Sequence, residues 1–219
     1  VNVDAGKNSL AWVLADGSGP PETLAQLEGQ SRPTSWSPDG KLLAFNGGPA
    51  GSNDIMLLPR PDGAPADRAP RPFLKTQHDE QMAAFSPDGR WIAYTSSESG
   101  ESQVYVRPAA AGAGGKWQVS TSSARFPRWA RGGRELFYVA SGSKVMTVEI
   151  EPGPTFRAGT PKELFTYAFP GFPAYDVSAD AKRFMMIKSG AAAPEAGPPP
   201  LHFVLEWFED IRRRVRAGG

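Results

Sequence analysis

Three consecutive residues, His78, Asp79 and Glu80, are the best candidates for chemistry in this sequence. A neutral imidazole beside two carboxylates can bind a divalent cation such as zinc or calcium, or act as a general base. Asp176, much later in the chain, is a further candidate metal ligand. Two interpretations stay open: a ligand or metal contact, or a loop whose side chains bond only the backbone and water.

No second motif completes a catalytic centre around this cluster. The chain has two histidines and no cysteine, which excludes disulfides, thiolate metal sites and a cysteine nucleophile. It has no His-x-x-x-His pair and no Gly-x-Ser-x-Gly motif. We therefore predict no catalytic residue and no cofactor; zinc or calcium enters only under the metal-site alternative.

A cassette of two apolar runs around a tight turn occurs four times along the chain. Its copies are Trp36–Phe45, Phe85–Tyr94, Trp129–Tyr138 and the more divergent Val177–Met186. The turn residues Gly40, Gly89, Gly133 and Ala181 are 49, 44 and 48 positions apart. A period of this length, built from short alternating strands, predicts an all-β β-propeller with one four-stranded blade per repeat.

The spacing of the repeats predicts how the chain is divided. Residues 1–29 form a half-blade, with third and fourth strands at Ser9–Leu14 and Glu22–Leu27. Three full blades, an incomplete blade with a third strand at His202–Phe208, and a short basic C-terminal helix then follow. Their ranges are 30–76, 77–121, 122–167, 168–208 and 209–219. Aromatic residues at equivalent positions, among them Trp36, Phe85, Trp129, Phe45, Tyr94 and Tyr138, are expected to pack between blades.

The loops that join each fourth strand to the next first strand should gather at one mouth of the central channel, where propellers usually hold ligands. The His78 cluster lies in such a loop. Arginines flank the predicted inner strands and could line the channel with positive charge. The candidate ligand-binding residues are Arg32, His78, Glu80, Arg125 and Tyr175, and Arg128 flanks an inner strand in the same way.

Composition narrows the possible partners. Lys plus Arg total 24 and Asp plus Glu total 23, so the net charge of +1 provides no field that favours nucleic acid or an anionic membrane. No apolar run approaches the roughly 20 residues needed to span a bilayer. We predict a partner that is a protein or a small molecule, with no nucleic acid bound and no membrane span.

The sequence resembles the TolB-type, WD40-like propeller repeats, and most closely the C-terminal propellers of bacterial serine/threonine protein kinases. The resemblance runs from about Phe73 to Lys188. It rests on motifs such as Phe85–Ser96, Val104–Pro108, Gly115–Ser120 and Tyr175–Ser178. It implies a sensory or scaffolding propeller outside the cytoplasm, and a fragment of a larger sensor protein. No His-Arg-Asp or Asp-Phe-Gly kinase motif is present.

These observations favour a non-enzymatic binding or scaffolding propeller over the alternative, a promiscuous metal-dependent hydrolase of esters, lactones or phosphotriesters. The predicted strands do not form a whole number of blades, so unpaired strand edges should drive association with another chain. We predict a homodimer in which the N-terminal half-blade of one copy completes the C-terminal blade of the other. Two chains would supply enough strands for eight blades of four.

Overall fold

The computed structural model describes residues 3–4, 7–27, 31–48, 53–60, 69–110, 112, 114–169, 175–178 and 180–187. Within them, antiparallel strands form five sheets that follow one another along the chain. Sheet 1 contains β1 (Val3–Asp4), β2 (Lys7–Trp12) and β3 (Glu22–Leu27). Sheet 2 contains β4 (Arg32–Trp36), β5 (Leu42–Gly47), β6 (Asp54–Pro59) and β7 (Arg71–Leu74).

The next two sheets repeat the arrangement of sheet 2. Sheet 3 contains β8 (Glu80–Phe85), β9 (Trp91–Ser96), β10 (Gln103–Pro108) and β11 (Trp117–Gln118). Sheet 4 contains β12 (Ala124–Trp129), β13 (Glu135–Ala140), β14 (Lys144–Glu149) and β15 (Lys162–Thr166). The two strands of sheet 5 are β16 (Tyr175–Val177) and β17 (Phe184–Met186). The fold is that of a β-propeller, as the repeat predicts.

The cassette turns form because their residues suit the required backbone. In sheet 2 the Asp39 carboxylate accepts hydrogen bonds from the Ser37 hydroxyl at 2.6 Å and the Lys41 amide at 3.1 Å. Gly40 adopts φ 69°, a region that costs little only for glycine. The turn of sheet 5 closes in the same way with Ala181 at φ 58°, so that turn carries backbone strain.

The hydrophobic core is divided into clusters that lie between successive sheets. Phe45, Tyr94 and Tyr138 occupy equivalent positions and are almost fully buried. Each fully buried aromatic side chain stabilises the fold by about 1.5–3 kcal/mol relative to an exposed one. The expectation that the equivalent aromatics pack between sheets is wrong for Trp36, which is 44% exposed. In the described part of the chain, sheet 1 has no long inner strand to cover it.

The N-terminal sheet differs from the prediction in its strands. The strand predicted at Ser9–Leu14 lies at Lys7–Trp12, and a two-residue strand, Val3–Asp4, pairs with its beginning. The strand predicted at His202–Phe208 and the helix predicted at 209–219 lie outside the described residues. No helix in the described part of the chain is long and apolar enough to cross a membrane.

Candidate functional site: a cavity between the inner strands

The inner strands of four sheets border a cavity of about 460 Å³ that is open to solvent. Its walls come from β4, β8, β12 and β16, with Pro87 added from a cassette turn. In each of these four sheets the second-to-last residue of the inner strand lines the cavity. These equivalent residues are Ser35, Ala84, Arg128 and Asp176.

β-Bulges in the inner strands turn backbone groups towards neighbouring sheets. In β8 the register shifts between Gln81 and Ala84, and in β12 between Arg125 and Arg128. Met82 and Phe126, inside these bulges, adopt φ of 58° and 61°. A bulge removes residues from the strand ladder and leaves their N–H and C=O groups available to other partners.

Side chains of adjacent sheets bond these and neighbouring backbone groups. The Met82 amide donates to the Asn46 side-chain oxygen at 3.1 Å, and the Phe85 amide donates to the Ser35 hydroxyl at 3.1 Å. The Trp129 indole donates to the Ala84 carbonyl at 3.0 Å. These bonds fix the inner strands against one another and define the shape of the cavity.

The hydroxyl of Tyr175 makes the corresponding bond between sheets 4 and 5. It donates to the Phe126 carbonyl at 2.7 Å while its ring is buried. Burial raises the pKa of Tyr175 far above its usual range; Arg128 opposes this rise and Asp176 adds to it. Tyr175 therefore forms part of the cavity wall as a neutral group whose donor is already used.

Two opposite charges face the cavity from adjacent strands. Arg128 is half-buried and donates to the Pro127 carbonyl at 3.1 Å. Asp176 is exposed, and one of its carboxylate oxygens accepts the Val177 amide at 2.9 Å. No ion pair joins Arg128 to a carboxylate among the described residues. The cavity thus presents a cation, an anion and two hydroxyls, those of Thr34 and Ser35.

The predicted cluster at His78 lies elsewhere, at the beginning of β8, and two of its members are engaged by the protein. Asp79 accepts both the amide and the side-chain N–H of Asn53, at 2.9 and 2.8 Å, and also the Gln81 side chain. Its own amide donates to the Ser97 hydroxyl at 3.0 Å. Asp79 thereby joins loops of sheets 2 and 3.

Glu80 is buried at the end of this cluster. One carboxylate oxygen accepts the Thr76 hydroxyl at 2.5 Å and the Ser96 hydroxyl at 3.5 Å; the other has no partner among the described residues. Burial raises the pKa of Glu80, the Thr76 bond opposes the rise, and the charge of Asp54 adds to it. Burial therefore makes ionisation of Glu80, which metal coordination requires, less favourable than for an exposed glutamate.

The other predicted site residues differ in whether they line the cavity. Arg125 is exposed and donates to the Ser102 hydroxyl at 3.0 Å, and Arg32 is exposed at the beginning of β4. Neither lines the cavity, whereas Tyr175 and Asp176 do. His78 is half-buried, and its amide donates to Thr76. No group of three His, Asp or Glu side chains able to hold a metal ion exists among the described residues.

Sequence reasoning assigned no role to Thr34, Ser35 or Trp129 as cavity residues, and it grouped Arg128 with the other arginines. The cassette alignment contained the signal that could have found them. Each lies at or just before the end of an inner strand, where the four strands approach the central axis. Charge alone did not distinguish Arg128 from Arg125, because the two differ in which end of β12 they occupy and only one end borders the cavity.

No protein-family model matches the sequence, and no curated protein is similar to it in sequence. Solved structures are similar in fold. The structure assigned as TolB from Agrobacterium tumefaciens has a TM-score of 0.59 at 21% identity, over 74% of this chain and 58% of that one. TolB from Acinetobacter baumannii has a TM-score of 0.56 at 19% identity, over 77% and 43%.

A third similar structure is named as an enzyme. The Bacteroides uniformis protein assigned as a 6-phosphogluconolactonase has a TM-score of 0.52 at 16% identity, over 83% of this chain and 57% of that one. The chain therefore spans about half the length of the structures it resembles. At these identities the likeness establishes a TolB-like propeller fold, which hosts both binding proteins and enzymes.

Proposed function

We propose that this chain is a non-enzymatic binding propeller whose central cavity takes a small amphoteric ligand, either free or as the end of a peptide. The observation that carries the proposal is the placement of Arg128 and Asp176 on adjacent inner strands around one cavity. A guanidinium suits a carboxylate or phosphate, and a carboxylate suits an ammonium group. The volume of about 460 Å³ lies within the range of small-molecule sites.

Binding is favoured over catalysis because the described residues that line the cavity include no nucleophile paired with a base. Its hydroxyls belong to Thr34 and Ser35, and neither contacts an imidazole or a carboxylate. The Ser35 oxygen accepts the Phe85 amide, so it already serves as a structural acceptor. Activation of a serine hydroxyl needs an adjacent general base.

The resemblance to kinase-linked propellers supports a sensory role for the same site. A ligand that contacts four sheets stabilises their mutual arrangement by linkage to binding. The sheets would then transmit the presence or absence of ligand to a domain joined to this chain or to a protein bound to it. We propose this role on the resemblance and the cavity together.

Ligand binding can be tested by calorimetry and thermal shift with glycine, short dipeptides and the same dipeptides amidated at the C terminus. We expect a free carboxylate to be required and Arg128→Gln to weaken binding by about 10- to 100-fold, as for loss of a charge-assisted hydrogen bond. Arg125→Gln is the matched control, since Arg125 is exposed and outside the cavity. Equal losses in both variants, or no binding to the wild type, would contradict the proposal.

The hydrolase alternative has its own test. Purified protein is analysed for bound metal, and turnover of ester, lactone and phosphotriester substrates is measured with and without chelator. The alternative requires stoichiometric zinc or calcium and chelator-sensitive turnover that His78→Ala abolishes. We expect no such turnover, because Asp79 is engaged by Asn53 and Gln81 and Glu80 is buried with a raised pKa.

A further inference from the structure

The outer face of sheet 5, the face turned away from sheet 4, exposes two large apolar side chains. Met185 is 78% exposed and Ile187 is 60% exposed. On sheet 5, Phe184 and Met186 pack towards sheet 4 instead. In the other sheets the positions equivalent to Met185 and Ile187 are all buried against the following sheet. These buried residues are Ala44, Ala93 and Phe137 for Met185, and Asn46, Thr95 and Val139 for Ile187.

A further exposed apolar residue lies on sheet 2, near the other end of the series of sheets. Trp36, at the end of β4, is 44% exposed, whereas its equivalent Phe85 is only 8% exposed. Phe85 lies next to β4 of the preceding sheet, whose Ser35 hydroxyl accepts its amide. Among the residues that the structure describes, no such inner strand lies before Trp36, since β1 pairs with β2 through only two residue pairs.

The junction between sheets 3 and 4 shows which hydrogen bond a tryptophan at the position of Trp36 makes when another inner strand precedes it. There the indole of Trp129, the equivalent of Trp36, donates to the carbonyl of Ala84 in the preceding inner strand. Asp176 is the residue of β16 equivalent to Ala84. An inner strand like β16, set before β4, would therefore offer its Asp176 carbonyl to the Trp36 indole.

We propose that sheet 5 of one copy packs against β4 of a second copy of this chain. Trp36 then covers Met185 and Ile187, and its indole N–H donates to the Asp176 carbonyl. Strands β16 and β17 supply the inner half of a four-stranded blade, and β2 and β3 of the partner supply its outer half. The half-blade within residues 1–29 thus completes the blade begun in residues 168–208.

A second copy fits these surfaces better than the C-terminal residues of the same chain do. A strand such as the one predicted at His202–Phe208 would compete with the partner's β2 for the edge of sheet 5, and it would not cover the exposed face. The exposed side chains lie on the face of the sheet, and another sheet is needed to cover a face. The two complementary surfaces belong to one chain, in which both remain exposed, so two copies can satisfy each other reciprocally in a closed two-fold dimer.

Light scattering coupled to size-exclusion chromatography tests the junction on the 219-residue chain. We expect a mass twice the 23.5 kDa of one chain, and the single-chain mass for the double variant Met185→Lys/Ile187→Lys. The control is Leu164→Lys, which adds the same charge at another exposed apolar residue, 45% exposed, on the outer strand β15. A single-chain mass for the wild type, or an unchanged dimer in the double variant, would refute the proposal.

Two further variants test the same junction if the substitutions Met185→Lys and Ile187→Lys prevent folding. Trp36→Phe retains an aromatic ring but removes the indole donor, and should raise the Kd of the dimer by about 2- to 10-fold. Val204→Asp, in the C-terminal segment, should leave the mass unchanged. Dissociation by Val204→Asp, or an unaltered Kd in Trp36→Phe, would show that the occupant of this face is not β4 of a second copy.

Discussion

Replacing Tyr175 by phenylalanine tests whether the bonds from side chains to bulged backbone hold the sheets together. The substitution removes one hydroxyl and leaves the ring in its apolar cluster between sheets 4 and 5. The hydroxyl donates to the carbonyl of Phe126, a buried residue inside the β12 bulge. In Tyr175→Phe this carbonyl loses the Tyr175 donor, and the apolar side chains of the cluster carry no hydroxyl that could take its place.

The expected cost follows from that geometry. Loss of one hydrogen bond costs about 0.5–1.5 kcal/mol, and a volume-neutral change in a packed ring costs little else. For a chain of this size each kcal/mol lowers Tm by roughly 2–4 °C. Urea unfolding should therefore show a lower midpoint with an unchanged m-value.

Tyr167→Phe provides the matched control. Its hydroxyl also donates to a backbone carbonyl, that of Ile187 at 2.9 Å, but this bond is exposed to solvent. Water can replace the lost donor there, so the change in free energy of unfolding should stay within about 0.5 kcal/mol. The reasoning is refuted if Tyr175→Phe is as stable as the wild type, or if both variants lose the same stability.

Three further predictions concern the turns, the buried carboxyl and another bond between sheets. Ala181→Gly should stabilise the chain by up to about 1 kcal/mol in urea unfolding because it relieves φ 58°, and Gly133→Ala, at φ 69°, should destabilise it by a similar amount. The pKa of Glu80 is raised in the folded protein. As pH rises, the carboxyl of Glu80 therefore loses its proton at a lower pH in the unfolded chain than in the folded chain. The free energy of unfolding should then fall as pH rises from the ordinary glutamate value of 4.5 through the raised pKa, and Glu80→Gln should lack this fall in urea titrations at several pH values. Ser35→Ala leaves the Phe85 amide without its acceptor and should cost about 1–3 kcal/mol by the same measurement; a loss below about 0.5 kcal/mol would mean that water replaces the hydroxyl.

The sequence alone determined the repeat and the surfaces between sheets. Gly40, Gly89 and Gly133 mark three of the turns because few other residues tolerate that backbone, and an aspartate precedes the first two of these glycines. Alternation of apolar residues in the following strand places Phe45, Tyr94 and Tyr138 on the face of each sheet that packs against the preceding one. These signals are local, so they can be identified without knowing how distant strands meet.

Only the tertiary structure decided which polar residues share a site. Arg125 and Arg128 are close in sequence, yet one lies exposed at the mouth and the other lines the cavity. They lie towards opposite ends of β12, and only the packing of β12 beside the other inner strands decides which end borders the cavity. Arg128 and Asp176 meet because strands from successive repeats converge on one axis, a consequence of packing between sheets that no single repeat encodes.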